Sequence, residues 1–340
     1  MAKISDIGVD LGTSNVLIYR QDKGIVLREP AVVAVDRDTN AVVAVGSDAY
    51  RMIGRTPGNV MTIRPLRQGT VADFELLSTM LRHFVSMANA KKWFSRPRAV
   101  LSVPSGVNEV EKRSIISAMF EAGTRKAQLL ERPIAAALGV GIDFTKAYGT
   151  MIVDMGAGMS DIAVLGTGEI VVSSAVSIGG DYFNDAIIRY LRVKHNFLIG
   201  ERTAEELKIN IGSAVPQVHD VPMEVTGRNL VSGLPKTQSI SSAEITEALQ
   251  GPVSELIEAI QGVIERTPPQ LASDIFDQGI VLTGGAAALN GLSEAIYNVL
   301  GIPCGVADDP QSCIAVGCAV ALEETPAMKA LLNSNKRWGR

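Results

Sequence analysis

Cysteine and net charge are both scarce in this 340-residue sequence, and each shortage argues against a class of function. The three cysteines, Cys304, Cys313 and Cys318, lack the CxxC spacing of metal sites, so we expect buried thiols in a reducing compartment. The formal net charge of -4 provides no basic surface for DNA or RNA, and we expect no nucleic-acid partner.

Long apolar runs are missing as well. Every apolar segment is interrupted well before the roughly 18 residues that suggest a membrane span, so membrane contact is expected to be peripheral. The N-terminal residues lack the apolar stretch and the cleavage site of a signal peptide, and we expect no export. With 46% hydrophobic and 20% charged residues, a chain of this length predicts a globular protein of two domains.

One motif occurs twice in the chain. Residues 7–19 read IGVDLGTSNVLIY, and residues 151–165 read MIVDMGAGMSDIAVL. In both, a β-rich run ends in an aspartate, a glycine turn follows, and a second β-rich run returns. When the two sequences are aligned at Asp10 and Asp154, their strands and turns correspond, and we expect two extra residues in the second turn. A spacing of about half the chain predicts two similar halves.

The two turns are typical of phosphate-binding hairpins. A tight glycine-rich turn directs successive backbone N–H groups into one concavity, where an anion can approach without a Cβ in the way. An aspartate at each strand end is placed to hold a hydrated Mg²⁺. Either motif alone is more simply an ordinary β-hairpin, but their paired occurrence favours a nucleotide. The candidate residues are Asp10, Gly12, Thr13, Ser14 and Asn15 in the first copy and Asp154, Gly156, Ala157 and Gly158 in the second.

A third glycine cluster lies in residues 279–292, which read GIVLTGGAAALNGL. A β-rich run ends in Gly284 and Gly285, and a helix-like segment follows, as expected where a nucleoside or phosphate passes over the backbone. The Lys and Ser/Thr of a Walker A loop are missing after these glycines, so the signal is weak by itself.

These three elements, in this order, resemble the superfamily of actins, sugar kinases and heat-shock chaperone ATPases. Residues 129–141 and 314–324 are similar to the two connecting helices at the hinge of that fold. Within the superfamily the chain resembles the MreB family of bacterial actins over nearly its whole length. The most specific stretches are residues 178–214 and 24–36.

The resemblance implies an α/β, actin-like (ribonuclease H-like) fold with two lobes, a nucleotide cleft and a small subdomain inserted in each lobe. The implied division gives the core of lobe I residues 1–32, 66–145 and 318–340, and its small subdomain residues 33–65. The core of lobe II comprises residues 146–178 and 248–317, and its small subdomain residues 179–247.

The resemblance also implies ligands and the residues around them. ATP or ADP with Mg²⁺ is the expected ligand, and the backbone N–H groups of both hairpins are expected to bind its phosphates. The residues implied near the ribose and adenine are Gly179, Gly180, Glu205, Glu206, Lys208, Gly284 and Gly285. Without the family, residues 203–208 predict a helix start with Thr203 as N-cap and Glu206 closing a capping box.

Two positions depart from the pattern of the MreB family. The first connecting segment usually carries Glu-Glu-Pro, whereas this chain has Glu131-Arg132-Pro133; the second phosphate turn usually has a threonine where this chain has Met159. Both usual residues position the attacking water. Because arginine stays protonated and methionine has no hydroxyl, slow or absent hydrolysis is expected, and Arg132 could contact the γ-phosphate. The alternative is that Glu131 acts as the catalytic residue, with Ser160 and Asp161 compensating for Met159.

A membrane anchor is predicted at Trp93 and Phe94, which lie in the segment AKKWFSRPR among four cations. Aromatic side chains next to cations are typical of insertion at an anionic membrane surface. The alternative is that both aromatics cap the core of the first lobe. Trp338 near the C-terminus offers either a second contact or a frayed tail.

The expected function is cytoskeletal: an ATP-dependent homopolymer of paired protofilaments on the inner, cytoplasmic face of the cell membrane. Together with cell-wall elongation proteins it would guide wall synthesis, and the helix around residues 109–122 is implied in protofilament pairing. Two alternatives stay open at this point. One is a phosphotransferase of the sugar-kinase type on the same fold, and the other is a nucleotide-gated scaffold that does not polymerise.

Overall fold

The computed structural model describes residues 6–54, 58–88, 96–323 and 325–334. The strands are β1 Ile7–Leu11, β2 Asn15–Arg20, β3 Gly24–Pro30, β4 Val33–Asp36, β5 Val42–Val45, β6 Val60–Ile63, β7 Leu66–Arg67, β8 Thr70–Val71, β9 Arg98–Val103, β10 Lys126–Glu131, β11 Thr150–Met155, β12 Ser160–Gly166, β13 Glu169–Val176, β14 Phe197–Leu198, β15 Pro222–Asn229, β16 Pro235–Ser241, β17 Ile280–Thr283 and β18 Cys304–Val306. The helices are α1 Ser47–Met52, α2 Phe74–Ala88, α3 Glu109–Glu121, α4 Arg132–Gly139, α5 Gly180–His195, α6 Glu201–Ile211, α7 Ser242–Glu265, α8 Pro269–Gln278, α9 Leu292–Leu300, α10 Cys313–Val320 and α11 Pro326–Ser334.

The chain divides into two compact units. Unit 1 comprises Met1–Thr145 and Gln311–Arg340, and unit 2 comprises Lys146–Pro310. Within the described ranges each unit is built on a five-stranded sheet, with the order β10-β9-β1-β2-β3 in unit 1 and β18-β17-β11-β12-β13 in unit 2. In both sheets the first three strands run parallel and the last two add antiparallel pairs. The two halves therefore share one topology.

The sheet of unit 1 is covered on both faces, which explains why its central strand is almost entirely apolar. Ile7 and Val9 join a buried cluster with α2 and α3. Gly8, whose position in the strand faces the opposite side, lies against α10, since a Cβ there would be 2.4 Å from the Ala319 nitrogen. Glycine at this position lets α10 pack directly on β1.

Helices α4 and α10 of unit 1 cross in direct backbone contact. A Cβ on Gly139 would lie 1.9 Å from the carbonyl oxygen of Cys313, and one on Gly317 would lie 1.7 Å from that of Ala135. No side chain fits at either position, so the two glycines determine how closely the helices approach. This contact fixes the position of α4, whose first residue is Arg132.

The core of unit 2 forms between its sheet and the helices α5 and α7. Phe183 and Leu191 of α5 and Leu256 and Ile260 of α7 are fully buried in one cluster with the sheet. The 24-residue helix α7 begins at a complete capping box, in which Ser241 and Glu244 each accept a hydrogen bond from the other's backbone N–H.

Two further three-stranded sheets lie in the regions where small subdomains were expected. Strands β5, β4 and β6 form one of them, and β14, β15 and β16 form the other. The four-part subdomain division itself stays a prediction. No helix within the described ranges combines the length and apolarity that a bilayer crossing requires.

The predicted membrane anchor cannot be located on this fold. Trp93 and Phe94 fall in residues 89–95, and Trp338 falls in residues 335–340, and both segments lie outside the described residues. Membrane insertion at these positions therefore stays a prediction.

Candidate functional site

The first predicted phosphate turn is a tight hairpin between β1 and β2. Leu11 pairs with Val16 across the hairpin, and the N–H of Gly12 donates to the carbonyl oxygen of Asn15 at 3.1 Å. A Cβ on Gly12 would be 2.6 Å from that same oxygen, so a side chain at this position would open the turn. Glycine is required here by close approach of the backbone.

The rest of this turn is fixed by contacts from neighbouring segments. The side-chain oxygen of Thr13, which is 7% exposed, accepts a hydrogen bond from the N–H of Gly69 at 3.3 Å. The carbonyl oxygen of Ser14 accepts one from the N–H of Ala31 at 2.8 Å. These contacts support the backbone of the hairpin from two neighbouring segments.

Asp10 lies at the end of β1, and a serine of the adjacent parallel strand orients it. The hydroxyl of Ser102 donates to Asp10 Oδ1 at 2.8 Å and accepts from the N–H of Leu11 at 3.1 Å. Burial raises the pKa of Asp10 above its ordinary value, while the positive charge of Arg132 and the Ser102 hydrogen bond oppose that rise. The carboxylate is therefore held in a polar cluster beside the turn.

Arg132 is buried beside this aspartate. Its side chain is 3% exposed, and its Nη2 donates to the carbonyl oxygen of Leu11 at 3.0 Å. The position where the resemblance led us to expect a water-positioning acid thus carries a cation that binds the end of β1 before the turn. Glu131 precedes it as the last residue of β10 and the N-cap of α4, without a side-chain capping hydrogen bond.

The second turn repeats the geometry of the first. Met155 pairs with Ser160 across β11 and β12, and the N–H of Gly156 donates to the carbonyl oxygen of Met159 at 2.9 Å. The expectation of two extra residues here is wrong. Gly12 to Asn15 and Gly156 to Met159 are turns of equal length, because the same backbone hydrogen bond closes both.

Asp154 at the end of β11 has the same kind of partner as Asp10. The hydroxyl of Thr283, at the end of the adjacent parallel strand β17, donates to Asp154 Oδ1 at 2.9 Å. Sequence reasoning missed both hydroxyl donors, Ser102 and Thr283. The sequence did contain a signal for them. Ser102 ends the run Val-Leu-Ser in β9, and Thr283 ends the run Val-Leu-Thr in β17, the equivalent strand of the other unit.

Met159 and its neighbours offer no exposed hydroxyl at this turn. Met159 is 8% exposed, and Ser160 and Asp161 are fully buried. The hydroxyl of Ser160 donates to the carbonyl oxygen of Ile178 at 2.5 Å. Because that proton is already engaged, Ser160 is poorly placed to supply the hydroxyl that Met159 lacks.

The start of α5 packs directly on the second turn. The N–H groups of Gly180 and Asp181 donate to the carbonyl oxygens of Gly156 and Ala157 at 3.0 and 2.8 Å. A Cβ on Gly179 would lie 2.5 Å from the Ala157 oxygen and 2.7 Å from the Gly156 oxygen. The structure therefore brings the predicted residues Gly179 and Gly180 to the second turn, and close backbone contact requires glycine at Gly179.

Lys208 of α6 reaches the same place. Its Nζ donates to the carbonyl oxygen of Gly180 at 2.9 Å. Burial lowers the pKa of Lys208 from its ordinary value, and the negative charges of Glu205, Asp181 and Glu201 oppose that change. A largely buried ammonium group beside a glycine turn is a suitable partner for an anion.

Glu205 and Glu206 lie on α6, but the predicted start of that helix is wrong. The helix begins at Glu201, with Gly200 as the N-cap and without a side-chain capping hydrogen bond. Glu206 does not close a capping box with Thr203 and instead pairs with Arg202 at 3.1 Å. Glu201 and Arg202 are good helix formers, so the helix extends to the glycine before them.

Gly284 brings the third glycine cluster to the second turn. Its φ of 84° is in the left-handed region, and a Cβ there would lie 2.3 Å from the carbonyl oxygen of Met155. Its N–H donates to the carbonyl oxygen of Pro310 at 2.7 Å. A short 3₁₀ helix, Gly285–Ala288, follows, so the predicted sequence of strand, diglycine turn and helical segment is observed.

The donor set matches a hydrated metal ion better than one bound directly by protein. Among the residues that the structure describes, no three His, Cys, Asp or Glu side chains are grouped as a direct metal site. Each unit instead places a carboxylate, Asp10 or Asp154, at the strand end before its glycine turn, where a neighbouring hydroxyl orients it. Single carboxylates of this kind fit Mg²⁺ held through water, since that ion keeps several of its waters.

Comparisons with known proteins agree with this fold. A family model described as MreB/Mbl protein matches residues 4–330. The cell shape-determining protein Mbl of Bacillus cereus is 45% identical over 318 residues, which are 94% of this chain and 96% of that protein. The cell shape-determining protein MreB of Escherichia coli K12 is 45% identical over 324 residues, which are 94% and 93% of the two chains.

Solved structures give the same result. MreB5 of Spiroplasma citri bound to ADP superposes with a TM-score of 0.90 at 35% identity, covering 97% of this chain and 98% of that one. A MamK double helical filament matches with a TM-score of 0.80 at 20% identity, covering 95% and 99% of the chains, which is a likeness of fold. The predicted actin-like fold is confirmed.

Proposed function

Because the chain belongs to the MreB/Mbl family, we propose that it is an adenine-nucleotide-dependent actin-like filament protein that determines cell shape by organising cell-wall synthesis. The observation that carries the proposal is the pair of equivalent glycine turns. Each is closed by the same backbone hydrogen bond and follows an aspartate at the end of a central strand. Relatives that are 45% identical over nearly the whole chain are named cell shape-determining proteins, which favours this function over the phosphotransferase alternative.

Nucleotide binding rests on the two turns and the residues packed against them. Two MreB5 structures of Spiroplasma citri contain ADP and AMPPNP, and that protein matches this chain over nearly its whole length. In this chain the backbone N–H groups of residues 13–15 and of Ala157 and Gly158 would donate to the phosphates, because the N–H of Gly156 already closes the second turn. Gly180, Lys208 and Gly284 would lie near the nucleoside. Mg²⁺, held through water by Asp10 and Asp154, would neutralise phosphate charge.

Nucleotide binding would control polymerisation by favouring one conformation of the chain. If the filament-forming conformation binds ATP more tightly, then ATP shifts the population toward it, and assembly selects the same state. The partner is a second copy of this chain, in keeping with the filament formed by MamK, which has the same fold. A head-to-tail contact between identical copies generates an open filament, and two such protofilaments would pair.

The filament is expected to lie on the inner face of the cell membrane, together with cell-wall elongation proteins. Trp93 and Phe94 supply aromatic side chains for the headgroup region, and Lys91 and Lys92 supply cations for anionic lipids. A single short segment binds weakly. Many copies along one filament bind strongly, because each further contact is intramolecular.

Hydrolysis is expected to be slow. Arg132 replaces the usual acid and cannot take a proton from water, and Met159 replaces a hydroxyl with a buried thioether. The backbone donors of both turns are unaffected, so binding should survive the loss of water positioning. The protein would then be a nucleotide binder whose ATP state is long-lived.

Sedimentation of the purified chain with and without Mg-ATP tests the proposal. We expect wild-type protein to pellet with ATP and to stay in the supernatant without it. Gly12→Ala, whose new Cβ would lie 2.6 Å from the Asn15 carbonyl oxygen, should lose the response to ATP. Gly262→Ala, where a Cβ meets nothing within 4 Å, is the matched control and should behave as wild type. If the pelleted fraction of all three proteins is the same with and without Mg-ATP, nucleotide-dependent assembly is excluded.

A further inference from the structure

Arg132 is a buried cation beside the first phosphate turn. Arginine is rarely buried without a partner, because removing its charge from water is costly. Here Nη2 is 3.0 Å from the carbonyl oxygen of Leu11, and the positive charge acts on the neighbouring carboxylate of Asp10. The guanidinium therefore offsets part of the cost of burying this carboxylate, together with the hydrogen bond from Ser102.

The fold holds this cation in place. Arg132 is the first residue of α4, and Pro133 restricts the backbone at the helix start. Helix α4 is in backbone contact with α10 at Gly139 and Gly317, so the helix start cannot shift away from the turn without opening that contact. Ser102 completes the cluster by bridging Asp10 and the N–H of Leu11.

We propose that Arg132 acts as a built-in cation at the first phosphate turn and makes nucleotide binding only weakly dependent on Mg²⁺. The proposal rests on the nucleotide binding proposed above. A guanidinium attracts phosphate permanently because it does not lose its proton at physiological pH. The same positive charge repels Mg²⁺. Asp10 therefore binds Mg²⁺ through water more weakly than it would if position 132 were neutral or acidic.

The ratio of ATP dissociation constants in EDTA and in Mg²⁺ measures this dependence directly. Equilibrium dialysis with radiolabelled ATP gives the ratio without requiring hydrolysis. For the wild type we expect removal of Mg²⁺ to weaken binding by less than about tenfold. For Arg132→Gln we expect that ratio to be larger by on the order of tenfold or more, the equivalent of one lost charge-assisted hydrogen bond.

Two further variants separate charge at this position from other effects. Arg132→Lys keeps the positive charge and should keep a small ratio. Arg113→Gln removes an exposed positive charge from α3 in the same unit and should leave the wild-type ratio unchanged. Thermal unfolding of each variant checks that it folds.

The outcomes distinguish this proposal from the one on which it rests. Wild-type protein that binds no ATP even with Mg²⁺ would overturn nucleotide binding itself. Tight binding with Mg²⁺ that falls by about a hundredfold or more in EDTA would overturn only the role of Arg132, whether or not the variants fold. Equal ratios for wild type and Arg132→Gln would overturn it as well.

Discussion

Gly179→Ala is the substitution whose effect follows most directly from the second turn. The added Cβ would lie 2.5 Å from the carbonyl oxygen of Ala157 and 2.7 Å from that of Gly156. Both contacts are with backbone, so no side-chain rotation relieves them. The start of α5 must move away, and that movement lengthens the hydrogen bonds that Gly180 and Asp181 donate to the same two carbonyls.

The expected cost combines two terms. Overpacking a tight contact costs about 1–3 kcal/mol, and each weakened backbone hydrogen bond adds about 1 kcal/mol. We therefore expect Gly179→Ala to lower the free energy of unfolding by about 3–5 kcal/mol and to weaken ATP binding, because the turn loses its support. Urea denaturation followed by circular dichroism and equilibrium dialysis with ATP measure the two effects.

Gly262→Ala in α7 of the same unit is the matched control. It meets nothing within 4 Å and lies inside a helix, where alanine is preferred over glycine by about 0.5–1 kcal/mol. The control should therefore be slightly more stable than wild type. If Gly179→Ala has wild-type stability and wild-type affinity for ATP, then the packing of α5 on the second turn does not support the site.

Three other predictions concern separate parts of the molecule. Gly317→Ala places a Cβ 1.7 Å from the Ala135 carbonyl oxygen, so it should lower the free energy of unfolding by more than about 3 kcal/mol; a wild-type urea midpoint would refute the α4–α10 contact. The pKa of Lys208 is lowered in the folded state, so the unfolded chain binds more protons as pH approaches 10.5, and stability rises with pH in that window. Lys208→Met should remove this rise, and an unchanged pH profile of the urea midpoint would contradict it. Replacing both Trp93 and Phe94 by Ser should abolish co-sedimentation with anionic liposomes and leave assembly in solution intact, and undiminished lipid binding would exclude the anchor.

The repeated motif predicted the architecture because its information is local. A β-rich run, an aspartate and a glycine turn specify a hairpin within about a dozen residues, and the structure contains both hairpins at the centres of equivalent sheets. The predicted length of the second turn was wrong for a physical reason. A backbone hydrogen bond sets the register, and the differing side chains of Asn15 and Met159 conceal that equivalence.

The surroundings of the site could not be read from local sequence. Arg132 lies 121 positions from its acceptor Leu11, and Thr283 lies 129 positions from Asp154, so these contacts exist only once the sheet has formed. The predicted start of α6 was wrong for a local reason. The capping-box pattern placed the N-cap at Thr203, but Glu201 and Arg202 are good helix formers, so the helix begins at Glu201 with Gly200 as its N-cap.

Single-turnover hydrolysis of radiolabelled ATP, with pelleting on anionic liposomes assayed in the same tubes, tests the central claim most directly. The claim is that this chain forms nucleotide-dependent filaments with a disabled water site. It predicts filaments in the pellet while the γ-phosphate stays on the nucleotide, because Arg132 and Met159 cannot position water. Filaments accompanied by prompt phosphate release would contradict it, and would mean that Glu131 or another group performs the catalysis.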